Sequence, residues 1–122
     1  MNTIAEILRD CAYGLPNEES SDISLLTGKQ NVRTTSPYIC DHIDRMTYED
    51  GCLARRQAEI REAHNFLKEL GMGAGLSEFL TEGESHKRYD DPSCYLEYGV
   101  EHQTMRAVFL LFAADLAEEW GV

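Results

Sequence analysis

The stretch Ala107-Val108-Phe109-Leu110-Leu111-Phe112-Ala113-Ala114 decides the fold, because it is apolar on every face of the helix that its composition predicts. The helical pattern extends from Glu101 to Trp120. A helix without a polar face needs neighbours on most sides, so we expect it to be the core helix of the protein. Its apolar run is far shorter than the roughly 20 residues that cross a bilayer, which argues against a membrane span.

The length and the pattern of residues predict one helical domain. At 122 residues the chain can form a core that covers roughly two-thirds of the surface exposed by its unfolded form, and a second domain has no room. The sequence contains no internal repeat and no convincing alternating strand. It therefore predicts an all-α fold over residues 1–122, a compact bundle of about five helices around the apolar C-terminal helix.

A first helix is predicted at the amino end. Thr3-Ile4-Ala5-Glu6 is a capping box, in which the hydroxyl and the carboxylate each satisfy a free backbone donor. Apolar residues follow at helical spacing: Ile4, Ile7, Leu8 and Cys11. Gly14, with Pro16 behind it, ends the helix. Residues 1–6 lack the basic start and the apolar run of a secretory signal, so we expect the protein to remain in the cytoplasm.

A long helix is predicted from residue 48 to residue 70. One stripe of it is expected to face the core: Leu53, Gln57, Ile60, Ala63 with His64, Leu67 and Leu70. The other face is charged and is expected to be solvated, with Arg55 and Glu59 as one neighbouring pair: Arg55, Arg56, Glu59, Arg61, Glu62, Lys68 and Glu69.

The rest of the chain is predicted as short helices and loops. Short helices are expected at 38–46, 76–81 and 92–98, two of which begin at Ser36-Pro37 and Asp91-Pro92. The glycines of residues 71–75 follow a helix and lack a trailing Lys-Ser or Lys-Thr, so they indicate a turn and not a phosphate loop. Residues 15–36 form a long irregular segment, and such segments are usually functional or disordered.

The net charge of −11 argues against ordinary nucleic-acid binding, where a basic surface supplies most of the affinity. Lys and Arg number 4 against 9 Asp and Glu in residues 1–54, 4 against 2 in residues 55–68, and 3 against 11 in residues 69–122. The acidic excess therefore lies at the two ends of the chain. It serves either solubility or docking on a basic partner.

The four cysteines, Cys11, Cys40, Cys52 and Cys94, could form two disulfides, but in a cytosolic protein they are most simply buried thiols. Cys40 and His42 point about 200° apart on a helix, so they cannot share an ion, and no Cys-x-x-Cys or His-x-x-x-His pattern is present. We therefore expect no metal and no cofactor.

The titratable residues do not predict an enzyme. Cysteines at apolar positions have raised thiol pKa values and are poor nucleophiles. His64 lies on the predicted buried stripe, where a hydrogen-bonded core histidine is the expected role. Adjacent carboxylates such as Glu118 and Glu119 diverge on a helix. We expect no catalytic residues.

Two loops carry positive charge in this acidic chain, residues 27–36 and 85–89. Cations beside hydroxyls or an aromatic ring suit the capture of a small anionic nucleotide. An alternative function is therefore a homo-oligomer that sequesters a signalling nucleotide, with these binding residues: Lys29, Arg33, Lys87, Arg88, Tyr38, Tyr89 and Tyr95.

Trp120 either anchors the last helix in the fold or contacts another subunit, and anchoring is favoured.

Four features occur in order along the chain: Tyr38-Ile39-Cys40, a long charged helix, Leu76-Ser77-Glu78-Phe79-Leu80, and a terminal helix in which apolar residues follow Arg106. In this order they resemble small acidic uncharacterised bacteriophage accessory proteins. The resemblance covers roughly residues 36–120. It implies an accessory protein in a bacterial cytoplasm, where such proteins inhibit host nucleases or defence complexes, CRISPR complexes among them.

The predicted function is accordingly a non-enzymatic inhibitor that occupies a basic site on a host or defence protein and mimics the charge of nucleic acid. Its acidic partner-binding residues are expected to be Glu18, Glu19, Asp22, Glu49, Asp50, Glu82, Glu84, Asp90, Asp91, Glu118 and Glu119.

Overall fold

The computed structural model describes residues 3–15, 52–75, 99–100 and 102–122. These ranges contain three α-helices and one 3-10 helix and no strand, so the predicted all-α class is confirmed for this part of the chain. The elements are α1 (Ile4–Ala12), α2 (Cys52–Glu69), a 3-10 helix (Met72–Gly75) and α3 (His102–Trp120). The short helices predicted at 38–46, 76–81 and 92–98 lie outside the described residues, as does all but residue 15 of the irregular segment 15–36.

α1 begins and ends as its sequence predicts. The hydroxyl of Thr3 accepts a hydrogen bond from the backbone N–H of Glu6 over 3.2 Å. The helix stops at Ala12, and Gly14 takes a φ of +72°, a conformation that suits glycine. Its buried side comprises three of the four predicted apolar residues and two alanines: Ala5, Ile7, Leu8, Cys11 and Ala12. The fourth, Ile4, is partly buried and packs against the core.

α3 is the core helix that the apolar stretch predicts. Every residue from Ala107 to Ala114 is buried, and none is more than 4% exposed. Residues 99–100 are not helical, and Gly99 forms a turn with a φ of +72°. Trp120 is partly buried and packs against the core cluster, together with Val122. The position of Trp120 agrees with its predicted anchoring role.

α1 and α2 both pack on α3. Leu8 of α1 and Leu67 of α2 have no exposed surface. Complete burial of a side chain of this size stabilises a protein by about 1.5–3 kcal/mol. α2 also contacts the end of α1, where Gln57 Nε2 donates to the carbonyl oxygen of Tyr13 over 3.0 Å and Arg61 lies over the Tyr13 ring. The three helices therefore share one core.

The predicted apolar stripe of α2 is confirmed at its centre and wrong at its end. Ile60 and Leu67 are buried, and the stripe positions near them are half-buried. Leu70 is 47% exposed. The helix ends at Glu69, and Gly71 turns the chain with a φ of +78°, so Leu70 no longer continues the stripe. The predicted start of this helix, residues 48–51, lies outside the described ranges.

The charged face of α2 departs from the prediction at Arg56. Its side chain is only 10% exposed, and Arg56, not Arg55, pairs with Glu59 over 3.2 Å. Arg56 follows Leu53 by three positions and precedes Ile60 by four, so it lies beside the buried stripe on the helix surface. This neighbourhood explains why a residue predicted to be solvated is covered.

The predicted burial of the cysteines holds for Cys11 and is wrong for Cys52, which is exposed; both are free thiols. Cys52 is the first described residue of α2 and lies about 80° around the helix from the buried Ile60, outside the centre of the stripe. Cys40 and Cys94 lie outside the described residues. Within the described ranges, no helix combines the length and hydropathy that a membrane crossing requires.

Candidate functional site

A polar cluster joins the three helices at the edge of the core. Arg9 of α1 donates from Nη2 to Asp115 Oδ1 of α3 over 3.0 Å, and from Nη1 to Glu118 Oε1. His64 of α2 lies 3.1 Å from the other oxygen of Asp115, measured from Nε2 to Oδ2. Both carboxylate oxygens of Asp115 are therefore used, one toward α1 and one toward α2.

His64 is held between this carboxylate and an aromatic ring. Its side chain is 13% exposed, and the Phe112 ring meets it edge-on with a centroid separation of 5.0 Å. Burial lowers the pKa of His64 below its ordinary value of 6.5, and nearby Asp115 opposes that change. The expected hydrogen bond of His64 is present, with Asp115 as its partner, but the residue is half-buried at the edge of the core and not inside it.

The Arg9 guanidinium and the Glu118 carboxylate stabilise each other's charged form. Their hydrogen bond holds the pKa of Arg9 above its ordinary value and the pKa of Glu118 below its ordinary value. The Arg9 guanidinium thus pairs with two carboxylates, those of Asp115 and Glu118. Among the residues that the structure describes, no three His, Cys, Asp or Glu side chains converge on a point where a metal ion could bind.

A groove of about 410 Å³ lies between α2 on one side and residues 99–100 and Thr104 of α3 on the other. Its volume falls within the range of roughly 300–1,000 Å³ that is typical of small-molecule sites. The described residues that line it are Arg56, Glu59, Glu62, Ala63, Phe66, Gly99, Val100 and Thr104. Phe66 is 45% exposed and Thr104 is buried. The groove therefore combines a cation, two carboxylates and an aromatic surface.

Arg56 is the unusual residue of the groove. Nη1 donates to Glu59, but Nε and Nη2 are shielded from solvent and have no hydrogen-bond acceptor in the described part of the chain. A buried polar group that lacks a partner costs about 1–3 kcal/mol, and more when it carries charge. Such a group in a native fold requires an explanation, and a bound ligand is one.

The structure describes two of the predicted partner-binding acids. Glu118 is engaged by Arg9, whereas Glu119 is exposed. The other nine lie outside the described residues: Glu18, Glu19, Asp22, Glu49, Asp50, Glu82, Glu84, Asp90 and Asp91. The nucleotide-binding residues proposed as the alternative also lie outside them: Lys29, Arg33, Tyr38, Lys87, Arg88, Tyr89 and Tyr95.

The charge is unevenly divided between the described and the remaining residues. The described ranges contain six Lys and Arg against eight Asp and Glu, a net charge of −2. The remaining residues therefore carry −9 of the total of −11. Most of the acidic excess is contributed by segments other than the three described helices.

Sequence reasoning missed both the three-helix cluster and the groove. The spacing of Arg56 from Leu53 and Ile60 was a usable signal, because it places the guanidinium beside the buried stripe. The pairing of Arg9 with Asp115 spans more than 100 residues and has no local signal. Comparison of the chain with protein-family models, curated proteins and solved structures found no match.

Proposed function

We propose that the protein is a non-enzymatic binding protein that docks through an acidic surface on a basic, nucleic-acid-handling protein and blocks it. The observation that carries this proposal is the charge of −11, of which −9 belongs to segments outside the described helices. A surface of one sign raises the rate of encounter with a partner of the opposite sign and disfavours partners of the same sign.

The proposed arrangement assigns different tasks to different parts of the chain. The apolar α3, covered by α1 and α2, supplies the scaffold of a bundle of about five helices. The acidic segments then form the docking surface and occupy a site that would otherwise hold nucleic acid. The resemblance to bacteriophage accessory proteins supports a bacterial cytoplasm as the setting and a host or defence enzyme as the target.

The test is affinity capture from bacterial lysate at two salt concentrations. The Debye length falls from about 10 Å at 0.1 M salt to about 3 Å at 1 M. We expect the wild-type protein to recover a basic, nucleic-acid-binding protein at 0.1 M salt and to lose most of it at 1 M. The purified target should lose activity when the protein is added, and excess nucleic acid should compete with the protein for binding.

Two variants with equal charge changes separate a specific surface from net charge alone. The test variant carries Glu18→Gln, Glu19→Gln and Asp22→Asn, within the predicted docking surface. The control carries Glu6→Gln, Glu62→Gln and Glu69→Gln, three exposed residues of α1 and α2. We expect the test variant to recover several-fold less target and the control to match the wild type. The proposal would be contradicted if the amount of recovered target were the same at both salt concentrations and with the test variant. Recovery of no basic protein would also contradict it.

A further inference from the structure

The unpartnered donors of Arg56 define one edge of its guanidinium group. Nε–H and Nη2–H point in the same direction and form the side-on fork of an arginine, which accepts the two oxygens of a carboxylate or phosphate in parallel hydrogen bonds. The third nitrogen of the group, Nη1, donates to Glu59 over 3.2 Å. The two donors that lack a partner therefore form one complete bidentate edge.

The charge around this edge favours a carboxylate over a phosphate. Among the charged residues lining the groove are Arg56, Glu59 and Glu62, which together carry −1. A phosphate with nearly two negative charges would meet two carboxylates of like sign. A ligand with one carboxylate and one ammonium group would be neutral overall, and its ammonium group would find acceptors in Glu59 and Glu62.

The apolar part of the groove indicates the rest of the ligand. Phe66 is a large ring at 45% exposure, and Ala63 and Val100 line the same groove. An exposed aromatic ring gains most from another ring, since aromatic pairs contribute about 0.5–1.5 kcal/mol beyond the area that they bury. The groove therefore combines a guanidinium group, carboxylates and an aromatic ring.

We propose that this groove binds a free α-amino acid with an aromatic side chain. The ligand carboxylate occupies the Nε and Nη2 edge of Arg56, its ammonium group contacts Glu59 and Glu62, and its ring packs on Phe66. Because both Arg56 donors are shielded from solvent, binding is accompanied by movement of a side chain in the groove wall. This proposal rests on the described residues of the groove and does not depend on the proposed acidic docking surface.

Isothermal titration calorimetry with the full chain tests this site. The probe is L-phenylalanine, with two matched analogues: N-acetyl-L-phenylalanine lacks the ammonium charge, and L-phenylalaninamide lacks the carboxylate. We expect L-phenylalanine to bind and each analogue to bind roughly tenfold more weakly or worse, because each loses charge-assisted hydrogen bonds. Inorganic phosphate is expected to give no heat of binding.

Two conservative variants localise the binding. Arg56→Lys keeps the charge but removes the bidentate edge, so L-phenylalanine binding should weaken by roughly tenfold or more. Arg55→Lys changes the exposed neighbour and should bind as the wild type does. Thermal unfolding of each variant without ligand checks that both are folded. If Arg56→Lys does not fold, Phe66→Ala replaces it and should show the same weakening.

Three results would overturn the proposal. The first is no heat with L-phenylalanine, L-tyrosine or L-tryptophan at millimolar concentration. The second is equal binding of N-acetyl-L-phenylalanine, which would indicate the carboxy terminus of a peptide as the ligand. The third is binding of phosphate that Arg56→Lys removes, which would indicate an anion site without the proposed ammonium contact.

Discussion

α2 and α3 are nearly equal in length, 18 and 19 residues, yet they are buried to very different extents. Every residue of the central stretch of α3, residues 107–114, is buried, whereas the only buried residues of α2 are Ile60 and Leu67. Since the hydrophobic effect scales with the apolar area removed from water, α3 contributes more of this stabilisation than α2 does within the described part of the chain. α2 instead carries the charged and exposed groups that a ligand or partner can reach.

This contrast separates scaffold from surface within one small fold. α2 is held to α3 by a narrow apolar stripe, by the contact of His64 with Asp115 and by the turn that follows it. A helix held along one side keeps its other sides available for binding. Three experiments test how unequal the two helices are.

The largest expected effect compares two phenylalanines, one from each helix. Phe112→Ala in α3 should lower the free energy of unfolding by about 3–5 kcal/mol, because the buried ring leaves a cavity. Phe66→Ala in α2 should change it by less than about 1 kcal/mol, because its ring is 45% exposed. Urea denaturation followed by circular dichroism measures both. Similar losses would show that α2 contributes as much to the core as α3.

A smaller effect is expected where the turn after α2 approaches α3. A Cβ added at Gly73 would lie 2.9 Å from Cδ1 of the buried Phe112 ring. Gly73→Ala should therefore cost about 1–3 kcal/mol, as overpacking usually does.

The matched test for this contact is a double-mutant cycle. Phe112→Leu removes the ring and leaves room, so Gly73→Ala should cost less in that background than in the wild type. Additive losses in the unfolding free energies would show that the two residues do not clash.

The smallest expected effect concerns the polar contact between the helices. The pKa of His64 is lowered in the fold, so its stabilising contribution is present above the unfolded value of about 6.5 and is lost as the pH falls through the folded pKa. The unfolding free energy should therefore decline from pH 7 toward pH 5, and His64→Gln should flatten this decline.

NMR titration of the His64 ring protons measures the pKa directly. We expect a midpoint below 6.5, and a still lower midpoint in Asp115→Asn, because Asp115 raises the pKa of His64. The control, Glu119→Gln, removes an exposed charge from α3, the helix that also carries Asp115, and is expected to leave the midpoint of His64 nearly unchanged. A midpoint above 6.5 in the wild type would show that the ion pair outweighs burial.

Local patterns predicted the described helices well because their causes are local. The cap at Thr3, the stop at Gly14 and the turn at Gly71 each follow from what a single residue type can do at a helix end. The burial of Ile60 and Leu67 follows from the period of the helix. The errors concern the exposure of single side chains: Leu70 and Cys52 are exposed, and Arg56 is covered.

The candidate sites were less predictable because they depend on distant residues. Asp115 contacts Arg9 and His64, which come from two other helices. The groove forms where α2 meets Val100, so neither segment alone indicates it. The acidic docking surface is still a prediction, since only Glu118 and Glu119 of its residues are described.

By itself the sequence determined that a helix centred on Leu110 and Leu111 must be buried, because no face of it is polar, and that the chain carries a large negative charge. Only the tertiary structure decided that Asp115 bridges α1 and α2 and that Arg56 is covered while two of its donors lack partners. The physical reason is that burial follows from local hydrophobicity, whereas the pairing of a charge depends on which distant side chains the fold brings within hydrogen-bond distance.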